Sequence, residues 1–220
     1  MARRPVSVRT RALIAALIAL LGSGGCGFNL LTTQEEIALG QRIAASIEKK
    51  ATLYNDPTTV AYVQTIGTRI ARVSDRQDVI YHVKVIDDHN TVNAFALPGG
   101  YIYLYTGLLR LAKSEAELAS VIAHETGHVA ARHSAEHISA AIGMDLLLSV
   151  ALGQSPGLAA GLGSEVLKGI GFSRMSQSDE YEADQLGLTY LKRAGYDPSA
   201  LPIFLRSCSL SVSYTHLRAH

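Results

Sequence analysis

The residues with the clearest capacity for chemistry are His124, Glu125 and His128, which form the motif H-E-x-x-H. On an α-helix, side chains four residues apart lie one turn apart on the same face, so both imidazoles can ligate one Zn²⁺. Glu125 then projects to one side, where its carboxylate can contact a water molecule. The flanking segments are apolar, and burying such a polar cluster is costly unless a partner satisfies it. The motif therefore predicts a metal site, in preference to two surface histidines beside an incidental acid.

A catalytic zinc site also needs a third protein ligand. His133 and His137 each lie nine residues after a motif histidine, about half a turn away on a continuous helix, so both are expected to face elsewhere. Glu180 and Asp184 are a better source, because their i, i+4 spacing places both carboxylates on one helix face. We predict Glu180 as the third ligand, with Asp184 accepting the free ring N–H of a ligating histidine. The alternative is an acidic helix start without a metal, since acids favour the first turn.

The elements that must position these residues are mostly helical. Apolar spacing and end signals predict helices over 32–50, 56–74, 138–153, 158–171 and 178–195. The motif helix should begin at Ser114, as the N-cap of a capping box with Glu117. Alternation over 79–88 indicates a strand, and 93–107 reads as two extended pieces joined by Pro-Gly-Gly. The expected fold class is α+β, a mostly helical domain with a small β-sheet.

The predicted helical pair over 138–171 is apolar enough to raise the question of a membrane. Polar residues and a proline interrupt it, at Asp145, Gln154, Pro156 and Glu165. Neither half reaches the roughly 20 apolar residues that span a bilayer. We therefore favour a buried or lid-like helical hairpin over a membrane-inserted one.

The first 26 residues read as an export signal. Four arginines precede an apolar run over 12–21, and small residues then lead to Cys26. The run is too short for a transmembrane anchor, which is the alternative. Cys26 stands where bacterial lipoproteins carry their lipidated cysteine, although Ser23 replaces the usual leucine; an ordinary cysteine near a cleavage site is the alternative. We expect a signal peptide over 1–26 and lipidation of Cys26.

Charge and cysteine content exclude two other classes of protein. The net charge is +1 and no basic block dominates, so nucleic acid is not an expected partner. Cys208 is the only other cysteine, so an internal disulfide framework is not expected either.

The paired motifs, H-E-T-G-H from His124 and E-x-x-x-D from Glu180, resemble the M48 family of zinc metallopeptidases, which are gluzincins. Together with the segment NAFALPGG and the export signal, they are most similar to its periplasmic, BepA-like lipoprotein branch. The resemblance spans roughly residues 32–205. It implies one zinc ion per chain, held by His124, His128 and Glu180, with Glu125 as general base.

The resemblance also implies how a substrate is held. It places a cleft edge strand, to which an extended peptide adds, at Asn93, Ala94, Phe95, Ala96 and Leu97. A plain hairpin is the alternative. The implied protein is an exported zinc endopeptidase that acts on unfolded or misfolded envelope polypeptides. It would reside in the bacterial periplasm, anchored to a membrane by its lipid, with the outer membrane favoured.

Two other functions remain open. A chaperone-like adaptor could hold misfolded envelope proteins with little turnover, but it has no need of a general base such as Glu125. A structural zinc domain usually closes its site with four protein ligands, often cysteines.

The expected peptidase domain covers residues 32–207. The tail over 208–220 lacks the preceding apolar period and resembles translated adapter sequence, so we expect it to be non-native and the natural domain to continue. His216 and His220 are therefore not candidate ligands. An oxyanion-stabilising residue is expected downstream, as the resemblance implies.

Overall fold

The computed structural model describes residues 31–140 and 175–210. The signal peptide with Cys26, most of the 138–171 pair and the tail after 210 lie outside these residues. The described elements, in chain order, are α1 (Thr33–Glu48), α2 (Pro57–Ala71), β1 (His82–Ile86), β2 (Ala94–Leu97), a 3₁₀ turn (Pro98–Gly100), β3 (Tyr101–Tyr105), α3 (Thr106–Leu111), α4 (Glu115–Ala131), α5 (133–140), α6 (Gln177–Arg193) and α7 (Ala200–Leu210).

The described strands form one three-stranded sheet in the order β1-β3-β2. β1 runs parallel to β3, and β2 runs antiparallel to it with Phe95 opposite Tyr103. The two extended pieces expected around Pro-Gly-Gly are therefore a hairpin, whose first strand lies at a sheet edge. Helices with a small mixed sheet confirm the predicted α+β class.

The two faces of β3 pack against different helices, as its alternating sequence requires. Ile102 and Leu104 are fully buried in the larger apolar core, together with residues of α2 and α4. Tyr103 faces the other way, into a smaller cluster with Ile43 and Ile47 of α1. The sheet is therefore held between α1 on one side and α2 with α4 on the other.

The start of α4 follows its sequence signal only in part. Ser114 is the N-cap, and its hydroxyl accepts a hydrogen bond from the Glu117 N–H at 3.2 Å. The Glu117 carboxylate accepts from the N–H of Lys113 rather than from that of Ser114. The reciprocal bond of the expected capping box is therefore replaced by one that reaches one residue further back.

Helices α4 and α6 approach each other closely because glycines lie at their crossing. A Cβ atom on Gly127 would stand 2.7 Å from the carbonyl oxygen of Ala183. A Cβ atom on Gly187 would stand 3.1 Å from the backbone nitrogen of His124. This approach brings the acidic start of α6 beside the motif of α4. In the part of the chain that the structure describes, no helix is both long and apolar enough to cross a bilayer.

Candidate metal centre

The motif residues lie in the buried middle and end of α4. His124, Glu125 and His128 are only 3%, 1% and 1% exposed. Ile122, Ala123 and Val129 of the same helix belong to the apolar core. The helix therefore carries a polar triplet into an apolar interior, which is favourable only where a partner compensates for lost hydration.

Glu180 of α6 supplies that partner. Its two carboxylate oxygens lie 3.5 Å from Nε2 of His124 and 3.6 Å from Nε2 of His128, and these two nitrogens are 3.1 Å apart. One ligand atom from each of the three residues falls within 4.8 Å of the others. Two imidazole nitrogens and one carboxylate oxygen form a donor set that suits Zn²⁺. The structure thus brings together the three residues that the sequence nominated.

Asp184 contacts the ring of His124 on the side away from Glu180. Its Oδ1 atom is 2.9 Å from Nδ1 of His124, the ring nitrogen that faces away from Glu180. Burial lowers the pKa of His124, but hydrogen bonds to Asp184 and Glu180 and the negative charges nearby outweigh it and raise the pKa to about 10. The metal-free site therefore favours a charged His124, and a metal ion would replace that positive charge.

Glu125 is buried beside the three candidate ligands without a strong partner of its own. Neither carboxylate oxygen makes a hydrogen bond of ordinary geometry to any described residue. Burial raises the pKa of Glu125 to about 7, opposed by the charge on His124 and by the nearby N–H of Ala96. A carboxyl group with a pKa near neutrality can both accept and return a proton.

The prediction that His133 faces away from the site is wrong. Its Nδ1 atom lies 2.9 Å from Nδ1 of His128, and the residue is 2% exposed. The expectation assumed a continuous helix, but α4 ends at Ala131 and Arg132 adopts the left-handed conformation, with φ 64°. The chain turns there and returns the His133 ring beneath His128. No glycine or proline marks this break in the sequence.

His137, Asp179 and Glu182 are not part of the His124, His128 and Glu180 cluster. Nε2 of His137 is 2.8 Å from Oδ2 of Asp179, which belongs to the first turn of α6. Nε2 of His133 is 3.4 Å from Oε2 of Glu182. These contacts join the start of α5 to the start of α6 behind the ligand histidines.

The predicted substrate strand is β2, at the sheet edge next to α4. Tyr105 donates its N–H to the carbonyl of Asn93, so in this antiparallel ladder the backbone groups of Ala94 and Ala96 point outward. The N–H of Ala96 lies near Glu125, and its carbonyl accepts a hydrogen bond from Ser134 at 3.0 Å. The edge of the sheet therefore faces the metal centre.

Comparisons with known proteins place the chain in a peptidase family. Residues 57–216 match the family described as Peptidase family M48. The chain is 31% identical over 214 residues to the beta-barrel assembly-enhancing protease of Yersinia pestis, covering 92% of this chain and 44% of the relative. Its counterpart in Escherichia coli (strain K12) is 33% identical over 186 residues, covering 80% and 38%. The mitochondrial metalloendopeptidase OMA1 of Schizosaccharomyces pombe is 39% identical over 144 residues, covering 66% and 42%. The chain spans less than half the length of these relatives.

Proposed function

Since this chain belongs to peptidase family M48, we propose that it is a zinc-dependent endopeptidase that cleaves unfolded or misfolded proteins of the bacterial cell envelope. The observation that carries the proposal is the convergence of His124, His128 and Glu180 with a buried carboxylate, Glu125, beside them. An adaptor that only holds polypeptides needs neither feature.

We assign zinc from the donor set, because two imidazole nitrogens and one carboxylate oxygen are protein ligands that catalytic zinc sites use. Zinc supplies Lewis acidity, which polarises a substrate carbonyl and makes a water molecule more acidic. His124, His128 and Glu180 would hold the ion, and Asp184 would orient the ring of His124.

Glu125 is the general base in this proposal. It accepts a proton from the attacking water as the water oxygen bonds to the scissile carbonyl carbon. It then delivers that proton to the departing nitrogen as the C–N bond breaks, so the carboxyl group returns to its starting state. Its burial supports this role, because a pKa near neutrality suits both transfers.

We propose that residues 93–97 orient the substrate as an added strand. The outward backbone groups of Ala94 and Ala96 are the ones that an extended peptide would pair with. The Ser134 hydroxyl already donates to the Ala96 carbonyl, so a substrate strand competes with that bond. The scissile peptide would thereby lie between β2 and Glu125.

We further propose that the protein is exported and held at a membrane by a lipid on Cys26, with the outer membrane favoured. The charged, apolar and small-residue segments that precede Cys26 support export. The similarity to bacterial beta-barrel assembly-enhancing proteases supports substrates in the envelope.

Cleavage of casein or an unfolded porin by the purified protein tests the activity. We expect cleavage that a chelator abolishes and added zinc restores. Glu125→Gln should still bind zinc but lose at least about 100-fold in cleavage rate, because the general base is gone. Full cleavage by this variant would refute the role of Glu125. Suppressed aggregation of the porin without cleavage by the native protein would support the adaptor instead.

A further inference from the structure

We propose that His133 is a positioning residue for the metal centre: it accepts the Nδ1–H of His128 and so holds that ligand in the tautomer whose Nε2 is available to the metal. The inference rests on the proposed metal site. It assigns a function to a histidine that the spacing argument had set aside.

The contact between the two rings requires an ordered proton. Their Nδ1 atoms are 2.9 Å apart, which is hydrogen-bond distance. A neutral imidazole has one N–H and one bare nitrogen, so one of these two Nδ1 atoms carries the hydrogen and the other accepts it.

The surroundings of His128 determine the direction of this bond. Its Nε2 faces Nε2 of His124 and the Glu180 carboxylate, where a metal ligand must offer a bare nitrogen. Its hydrogen then lies on Nδ1 and points at His133. The Nδ1 atom of His133 is therefore the acceptor.

The opposite side of the His133 ring agrees with this direction. An accepting Nδ1 places the hydrogen of His133 on Nε2. That atom faces two carboxylates of α6, at 3.4 Å from Glu182 and 4.0 Å from Asp179. The Nε2–H of His133 thus points at carboxylates that can accept it. The direction of donation is then the same along the whole path, from His128 to His133 and from His133 to the carboxylates of α6.

The backbone around His133 is fixed strongly enough to act as a support. Arg132 donates to Glu36 through Nε at 2.9 Å and to the Leu31 carbonyl at 2.7 Å. On the other side of His133, Ser134 is bound to Ala96 of the edge strand. The residues before and after His133 are therefore each tied to a different element, and its buried ring has little freedom to turn.

A matched pair of variants separates positioning from packing. His133→Asn keeps an acceptor close to the former Nδ1 position, whereas His133→Leu has nearly the same shape without an acceptor. We expect His133→Leu to weaken zinc binding by about 10–100-fold, as loss of such an outer partner typically does. The Asn variant should remain within a few-fold of the native protein. The dissociation constant is measured on the full chain by competition with a chromophoric chelator.

His137→Leu is the control, because His137 also contacts an acid of α6, but this contact joins its Nε2 to Asp179 and not to a candidate ligand histidine. It should leave zinc affinity unchanged. Nitrogen-15 spectra of the zinc-loaded protein provide a second readout. The hydrogen-bonded Nδ1–H signal of His128 should be present in the native and Asn proteins and absent in the Leu variant.

Native zinc affinity in His133→Leu would overturn the inference while leaving the proposed peptidase intact. Failure of the native protein to bind zinc would instead overturn the proposed function. Should His133→Leu fail to fold, His133→Gln replaces it, because its amide extends toward Glu182 and leaves His128 without its acceptor. Equal weakening in the Asn and Leu variants would show that only packing matters and would also overturn the inference.

Discussion

The two histidines of the candidate metal centre are supported by different kinds of structure. His124 lies within α4, and its partner Asp184 comes from the regular interior of α6, one turn after Glu180. His128 lies one turn from the end of α4, and its partner His133 follows a break in the backbone. The first support depends on how closely two helices pack. The second depends on where one helix stops.

A buried ionic cluster around Glu36 stabilises the end of α4 at Ala131. Its carboxylate accepts from both ends of the Arg76 guanidinium, at 2.7 and 2.8 Å, and from Arg132. Arg76 also donates to the carbonyl of Val129, in the last turn of α4. The cluster thus satisfies a helix-end carbonyl and fixes the residue that turns the chain.

The largest effect should come from breaking this cluster. Glu36→Gln removes the buried counter-charge of Arg76 and leaves it only the exposed carboxylate of Asp78, 3.2 Å from its Nε. Loss of one partner of a buried ion pair costs about 3–5 kcal/mol of unfolding free energy. Urea denaturation of the metal-free protein measures this loss. Asp75→Asn is the control, because its pair with Arg193 is exposed and should be worth less than about 1 kcal/mol. Equal losses of unfolding free energy in both variants would show that the cluster around Glu36 stabilises the fold no more than an exposed ion pair does.

The residues that the sequence could predict lie in regular helices, and the one that it could not predict follows a helix end. His124, Glu125, His128, Glu180 and Asp184 all lie inside regular helices, where residue spacing determines which side chains share a face. Two i, i+4 pairs, His124 with His128 and Glu180 with Asp184, nominated four of them, and Glu125 followed from its place in the H-E-x-x-H motif. The small sheet followed equally from the alternation of tyrosines with Ile102 and Leu104.

His133 could not be predicted in this way, because its position depends on tertiary contacts. Arginine rarely adopts the left-handed conformation that Arg132 has, and the residues around it give no sign of this conformation in the sequence. The conformation is held by Glu36, which lies 96 residues earlier in the chain. Periodicity carries no information about a contact over that separation.

The next effect tests the support of His124. Gly127→Ala places a methyl group 2.7 Å from the Ala183 carbonyl, so α4 and α6 must separate. Overpacking of this kind costs about 1–3 kcal/mol. Because Glu180 and Asp184 belong to α6, zinc affinity should fall together with stability. Thermal unfolding with and without zinc measures both quantities. A variant that loses stability but keeps its full zinc-induced stabilisation would show that zinc binding does not require this close approach of α4 and α6.

A smaller effect should distinguish Asp184 from His133, the residues that contact Nδ1 of His124 and of His128. Asp184→Asn keeps an oxygen that can accept the Nδ1–H of His124 but removes its negative charge. We expect about 10-fold weaker zinc binding, at the low end for such partners. His133→Asn removes no carboxylate and should cost less. If the His133 variant were the weaker binder in the same chelator competition, the carboxylate would not be the stronger support.

The smallest expected effect concerns the left-handed conformation of Arg132, where α4 ends. Arg132→Gly and Arg132→Ala both remove the bonds to Glu36 and Leu31, so they differ only in how well each residue adopts φ 64°. Left-handed backbone costs a residue with a side chain about 1–2 kcal/mol, and the greater freedom of glycine in the unfolded chain offsets part of this. The Gly variant should therefore be about 1 kcal/mol more stable than the Ala variant in urea denaturation. Equal stability would mean that the chain does not need the left-handed turn at this position, and the support of His128 would then lie in the ionic cluster alone.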